Sequence, residues 1–140
     1  MSYTFLKTVA LGFDDAIAAT TEALKRHGFG VLTEIDVQST LKKKLGVDFK
    51  PYRILGACNP EVALQALRAE DKIGTMLPRN VVVQQHEDGH VEISAVDPVA
   101  SMQAIDNPAL AVVAAQVRDM LQQVVEEIEP HATMLAAGNG

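Results

Sequence analysis

The chain has 140 residues, 48% of them hydrophobic and 21% charged, which is typical of one globular domain and argues against a disordered chain. The formal net charge of −6 provides no positive field for a phosphate backbone, so we expect no nucleic-acid partner. A single cysteine cannot form an internal disulfide, which predicts a reducing compartment.

The N-terminal segment alternates first with the period of a strand and then with that of a helix. Residues Ser2 to Leu11 predict a strand, and the spacing from Phe13 to His27 predicts an amphipathic helix. Lys7 interrupts the apolar residues, so the segment does not fit a signal peptide. No apolar run approaches the roughly 18 residues of a membrane span. We therefore predict a cytoplasmic protein without a membrane partner.

A second predicted strand, from Val31 to Val37, carries two carboxylates on one side. Glu34 and Asp36 are two residues apart, which separates them by about 7 Å along a strand. Such a pair suits general acid/base chemistry or a cation, and it equally suits a solvated face. Ser39 is the predicted cap of a short helix that ends at Gly46.

Three lysines lie near the end of that short helix, and Lys44 is the last of them. Cations are favourable near a helix C-terminus in any case. The lysines therefore indicate either an anion site or a solvated helix end.

The strand from Tyr52 to Cys58 is predicted to be buried and to run directly into a helix. Asn59 is a suitable N-cap and Pro60 suits the first helical position. A helix N-terminus stabilises a thiolate, so Cys58 is a candidate nucleophile. A lone cysteine on an apolar strand is also commonly a small buried hydrophobic residue. The inner face of the helix is predicted to comprise Ala63, Leu64, Ala66 and Leu67.

The segment from Asn80 to Val96 predicts a β-hairpin with Asp88-Gly89 as a two-residue turn. This register pairs Gln84 with Ile93 and places His86 and His90 on opposite faces, so no metal site is predicted. One face is then the core face, with Val82, Val91, Ile93 and Ala95. The other face is mixed and suits a subunit contact or a ligand cavity, with Val81, Val83, Gln85, Glu92 and Ser94.

Asn107-Pro108 is predicted to start a long helix that Glu129-Pro130 ends. Its apolar stripe contains Leu110, Val113, Ala114, Val117, Leu121, Val124 and Ile128. We expect residues 131–140 to be a flexible C-terminal tail on a single domain that spans residues 1–130.

Several segments resemble the bacterial and archaeal family called domain of unknown function 302. They are EIDVQSTLKKKLG, PYRILGACNPEVALQAL, GTMLPRNVVV and VDPVASM, within a match from about Leu6 to Met102. The resemblance implies a compact α+β domain, usually dimeric, and no established activity. It also implies that the family's motif positions include Glu34, Asp36, Lys44, Tyr52, Cys58, Asn59, Pro60 and Asn80.

This chain departs from the family pattern at Arg79, where a cysteine often precedes the Asn80 strand. Chemistry that needs a pair of cysteines, whether a disulfide or a metal thiolate, is therefore not expected here.

Together these patterns predict an α+β fold, a single two-layer domain with a mainly antiparallel sheet and helices packed on one face. The predicted function is a homodimer that binds a small ligand or partner in a pocket near Cys58, where Gly56 leaves space beside Tyr52. The alternative is a thiol-dependent enzyme or redox sensor with Cys58 as nucleophile. No cofactor is identified. The ligand-binding candidates are Glu34, Asp36, Lys44, Tyr52, Cys58, Asn59 and Asn80.

Overall fold

A computed structural model describes the backbone of residues 2–139 and the side chains of residues 2–128. The strands are β1 (Thr4–Val9), β2 (Gly30–Asp36), β3 (Tyr52–Cys58), β4 (Arg79–Gln85) and β5 (Val91–Val96). The helices are α1 (Phe13–Arg26), α2 (Val37–Leu45), α3 (Pro60–Ala69), α4 (Pro98–Ser101) and α5 (Pro108–Asn139), with a short 3₁₀ turn at Ile73–Met76. The predicted α+β class is confirmed.

The five strands form one antiparallel sheet in the order β1-β5-β4-β3-β2. Helices α1 and α5 contact the same side of this sheet, and α3 packs against α5. We call the sheet surface under these helices the covered face and the opposite surface the open face. Within residues 2–128, no helix layer covers the open face, and the strand residues that form it are mostly half-buried or exposed.

Helix α5 is the largest contributor to the core. Its predicted apolar stripe is confirmed, because every member of that stripe is buried against the sheet and α1. The sequence predicted that Glu129-Pro130 ends this helix. That prediction is wrong, because the helix continues to Asn139. Side chains after Ile128 lie outside the described residues, so a flexible tail over residues 131–140 stays a prediction.

Two details of the shorter helices differ from the sequence-based expectation. Asp36, and not Ser39, is the N-cap of α2, because its carboxylate accepts a hydrogen bond of 2.9 Å from the backbone N–H of Ser39. In α3, Leu64 and Leu67 are 48% and 42% exposed, so of the predicted inner face Ala66 alone is fully buried. The surface that α3 buries in the core is therefore narrower than predicted and is formed by a smaller side chain.

The hairpin between β4 and β5 closes with a register one residue away from the predicted one. The backbone N–H of His86 donates to the His90 carbonyl at 2.9 Å, and that of Gly89 donates to the His86 carbonyl at 2.9 Å. The loop is therefore the three residues Glu87, Asp88 and Gly89. Gly89 has φ 93°, the left-handed conformation that closes such a loop. Gln84 consequently lies opposite Glu92 and not opposite Ile93.

This shift reverses the predicted faces of β4. Val81 and Val83 are buried in the core with Val91, Ile93 and Ala95, whereas Val82 lies on the open face beside Ser94. Successive side chains of a strand point to opposite faces, so a slip of one residue exchanges every side chain between core and surface. The predicted subunit contact through Val81 and Val83 is therefore wrong, because both side chains are buried in the core.

Candidate functional site

The open face contains a cavity of about 510 Å³, in the range of small-molecule pockets. Strands β1, β5, β4 and β3 form its floor, and the 3₁₀ turn and α4 contribute to its rim. Of the predicted ligand-binding residues, Tyr52 and Asn80 line it. The full lining is Tyr3, Thr4, Leu6, Tyr52, Met76, Pro78, Arg79, Asn80, Val82, Gln84, Glu92, Ser94, Val96 and Ser101.

One end of the cavity, near the hairpin loop, is acidic. The Glu92 side chain is only 19% exposed and lies within reach of three polar neighbours. Gln84 Nε2 donates to its carboxylate at 3.1 Å, Ser94 Oγ lies 3.4 Å from the same oxygen, and His86 Nε2 lies 3.4 Å from the other. These contacts hold the carboxylate of Glu92 in a defined position on the cavity floor.

Arg79 begins β4 at the other end of the cavity, is 7% exposed, and lines both this cavity and the cleft that contains Cys58. Its Nη1 donates to the Met76 carbonyl at 3.4 Å, and its Nη2 lies 3.3 Å from Met102 Sδ. Among the described residues, no carboxylate forms an ion pair with this guanidinium. Burial lowers the pKa of Arg79, since the charged form loses solvation.

Glu34 and Asp36 do not reach this cavity, because the register places them opposite the covered-face residues Leu55 and Arg53. Both carboxylates contact the guanidinium of Arg53, Glu34 at 2.7 Å and Asp36 at 3.5 Å. Asp36 additionally caps α2. Shared neutralisation by one arginine gives the predicted carboxylate pair a structural explanation without acid/base chemistry or a cation.

Cys58 is half-buried at the end of β3 and lines a separate cleft between α3, α5 and the sheet. This cleft has a volume of only about 20 Å³, roughly enough for one water molecule. Within the described part of the chain, Cys58 Sγ has no hydrogen-bonding partner. The pocket near Cys58 is thus far smaller than the cavity on the open face.

Asn59, next to Cys58, is occupied by backbone contacts at the start of α3. Its Oδ1 accepts from the N–H of Val62 at 3.4 Å, as the predicted N-cap requires, and its Nδ2 donates to the His27 carbonyl at 3.4 Å. Lys44 is exposed on α2, away from the residues that line the cavity. Neither side chain joins Tyr52 and Asn80.

The space predicted beside Gly56 is filled. A Cβ atom at this position would overlap the Thr33 hydroxyl and approach Pro78 Cγ to 2.8 Å. Gly56 therefore serves the close approach of β2 and the segment before β4. The cavity begins farther along the same face, beyond Pro78.

Sequence reasoning missed Arg79 and Gln84 as cavity residues. The signal for Gln84 was present, because the mixed polar and apolar composition of one hairpin face indicated a cavity or contact there. The one-residue register error assigned Gln84 to the other face. For Arg79, nothing in the local sequence indicated burial, since an arginine at a strand start is ordinarily exposed.

Comparison with known proteins relates the chain to one family. Residues 5–128 match the model of the family described as domain of unknown function DUF302. The crystal structure of an uncharacterized conserved protein DUF302 from Bacillus stearothermophilus superposes with a TM-score of 0.86 at 31% identity, covering 92% of this chain and 100% of that chain. No match was found among curated proteins. Within residues 2–139, no helix combines the length and apolarity needed to cross a membrane.

Proposed function

The chain belongs to the DUF302 family, and we propose that it binds a small anionic molecule in the cavity on its open face. The observation that carries this proposal is Arg79, a residue at the boundary between the cavity and the Cys58 cleft, whose guanidinium is nearly buried and, among the described residues, has no carboxylate partner. A buried charge is costly unless it is paired. An anion bound in the cavity would supply the missing partner.

The shape of the cavity supports a ligand with a charged head and an apolar body. Arg79 presents up to five N–H donors in a planar arrangement that suits carboxylate or phosphate oxygens. Val82 and Val96 offer apolar surface on the floor of the cavity, and Asn80 adds a polar side chain. Glu92, on β5, lies opposite Gln84, which is five residues or about 17 Å along β4 from Arg79, so it does not neutralise Arg79 directly.

The test compares two probes that differ only in charge. Hexanoate carries a carboxylate on a short apolar chain, and hexanamide is its neutral match. We expect hexanoate, but not hexanamide, to raise the melting temperature of the wild-type protein. Arg79→Met should abolish that increase without lowering the melting temperature of the unliganded protein, because an apolar side chain of similar length replaces an unpaired buried charge.

Arg118→Met is the matched control, since Arg118 is half-buried on α5 and does not line the cavity. It should retain the response to hexanoate. A response in the Arg79→Met variant equal to that of the wild type would refute the assignment of Arg79. Equal responses to both probes would refute an anionic ligand.

The second part of the proposal is that the protein forms a homodimer. Because Val81 and Val83 are buried in the core, we propose the open face as the dimer contact. Tyr3 and Leu6 at the rim of the cavity are 69% and 61% exposed. Large apolar side chains that stand together at a surface are typical of protein contacts. Light scattering at micromolar protein concentration measures the mass, and a monomer there would contradict the dimer.

No specific observation favours the alternative of a thiol-dependent enzyme. A nucleophilic cysteine needs a base or a cation beside it and access for a substrate. Arg79 lines the same cleft as Cys58, but no described side chain hydrogen-bonds to the thiol, and a cleft of about 20 Å³ is too small for a substrate. A cytoplasmic location remains a prediction from the single cysteine.

A further inference from the structure

The hairpin loop brings together three side chains that can bind a metal ion. His86 and His90 close the loop on the open face, and Glu92 follows two residues later on the same side of β5. One ligand atom from each of the three lies within 4.8 Å of the other two. The expectation that the histidines lie on opposite faces is wrong, because the three-residue loop makes them direct neighbours.

The contacts of these side chains leave ligand atoms available. His86 Nε2 is inaccessible to solvent and has no hydrogen-bonding partner, although it lies 3.4 Å from Glu92 Oε1. A distance within ion-pair range without hydrogen-bond geometry leaves this buried nitrogen unsatisfied. His90 Nδ1 contacts the carboxylate of Asp88, so its Nε2 is the nitrogen left for a metal.

From this geometry we propose that His86, His90 and Glu92 form a three-ligand site for a divalent transition-metal ion of the Zn²⁺ type. Two imidazoles and one carboxylate are a known ligand set for zinc with one open position. The Asp88 carboxylate behind His90 matches the partner that orients metal-bound histidines. The site does not require an occupied cavity, and the open coordination position is left for water.

The adjustment needed to bind the ion is small. Bonds of 2.0–2.2 Å in a tetrahedral site bring ligand atoms to about 3.4 Å from one another, so the group must contract by roughly 1 Å. The imidazole rings are stacked with their centroids 4.3 Å apart and their planes at 21°, so one ring must turn to direct its nitrogen inward. Both rings are partly exposed at the loop, which leaves room for this rotation and a path for the ion.

The test uses the full-length protein, stripped of metal with a chelator and titrated with Zn²⁺ by calorimetry. We expect one high-affinity ion per chain in the wild type. His86→Gln and Glu92→Gln should each weaken binding at least tenfold, and Asp88→Asn should weaken it about tenfold through the orientation of His90. Co²⁺ provides a second readout, because its visible absorption reports the coordination geometry.

Two control variants separate this site from other zinc ligands. His27→Gln changes a histidine that pairs with Glu127 at the end of α1, and Cys58→Ser removes the only thiol. Both should bind Zn²⁺ as the wild type does. In the wild type itself, Zn²⁺ should shift the imidazole NMR signals of His86 and His90 and leave those of His27 in place.

The NMR measurement needs no variant to fold. Absence of a stoichiometric ion, unchanged His86 and His90 signals, or full affinity in Glu92→Gln would each overturn the metal site. Failure of hexanoate binding would not affect it, because that experiment probes Arg79 at the far end of the cavity.

Discussion

The two faces of the sheet are built from the same strands, but they differ in side-chain burial and in composition. On the covered face, Leu55, Val83 and Ile93 are almost completely buried under the helices. On the open face, Leu6 and Ile35 remain exposed, and polar residues such as Gln84 share that face. Packing explains the composition of the covered face, whereas the described structure imposes no packing requirement on the open face.

The polar groups of the two faces differ in the same way. Arg53 on the covered face is neutralised by Glu34 and Asp36 within the same sheet edge. Arg79, at the boundary with the open face, contacts the Met76 carbonyl and the Met102 thioether, and no carboxylate pairs with it among the described residues. A charged side chain that is paired within the fold, such as Arg53, is explained by its contribution to stability. A buried charged side chain without such a partner, such as Arg79, indicates a ligand-binding role.

The sharpest test of this comparison exchanges two neighbouring valines for lysine. Val83→Lys places a charge in the covered-face core, and we expect it to lower the free energy of unfolding by about 3 kcal/mol or more. Val82→Lys, one residue away on the open face, should cost less than about 1 kcal/mol. Urea denaturation measures both. Equal costs would show that the hairpin register is not the one described.

A second test addresses the loop that sets this register. Gly89 has φ 93°, which a β-branched residue does not adopt without strain. Gly89→Val should therefore destabilise the fold by about 1–2 kcal/mol. Gly12→Val is the control, because Gly12 has φ −65° and open space around its position. Equal melting temperatures for the two variants would argue against the three-residue loop.

The smallest expected effect lies in an ion pair on the helix side, away from the open face. Hydrogen bonds from His27 and then Arg26 lower the pKa of Glu127. A carboxylate with a lowered folded-state pKa stabilises the fold above its unfolded pKa, near 4.3, and this contribution is lost as the pH falls through the folded value. The side chain is 41% exposed, so solvent screening limits the contribution to less than about 1 kcal/mol.

Glu127→Gln should therefore reduce the urea midpoint slightly at pH 7, and the difference from the wild type should shrink as the pH falls through the lowered pKa of Glu127. If the difference between the two proteins were the same at pH 7 and below that pKa, the ionised carboxylate would not be its source.

Some features of this protein follow from local sequence alone. The stripe from Leu110 to Ile128 predicted α5 because helical periodicity is a property of neighbouring residues. Asn59-Pro60 predicted the start of α3 for the same reason, since a cap forms with the next turn of the chain. The order of strands and helices, and thus the α+β class, was predicted from such signals.

The site depended on information that no local pattern contains. Both a two-residue and a three-residue loop are compatible with Asp88-Gly89, and only the packed sheet selects the second. That choice placed Val83 in the core, brought His86 beside His90 and set Gln84 opposite Glu92.

The burial of Arg79 likewise arises because Met76 and Met102, 26 residues apart in the chain, pack on either side of it. Short-range forces select helix, strand and cap. Strand register and burial are decided only when distant segments compete for the same core, so the sequence determined the elements and the tertiary structure decided where the candidate ligands meet.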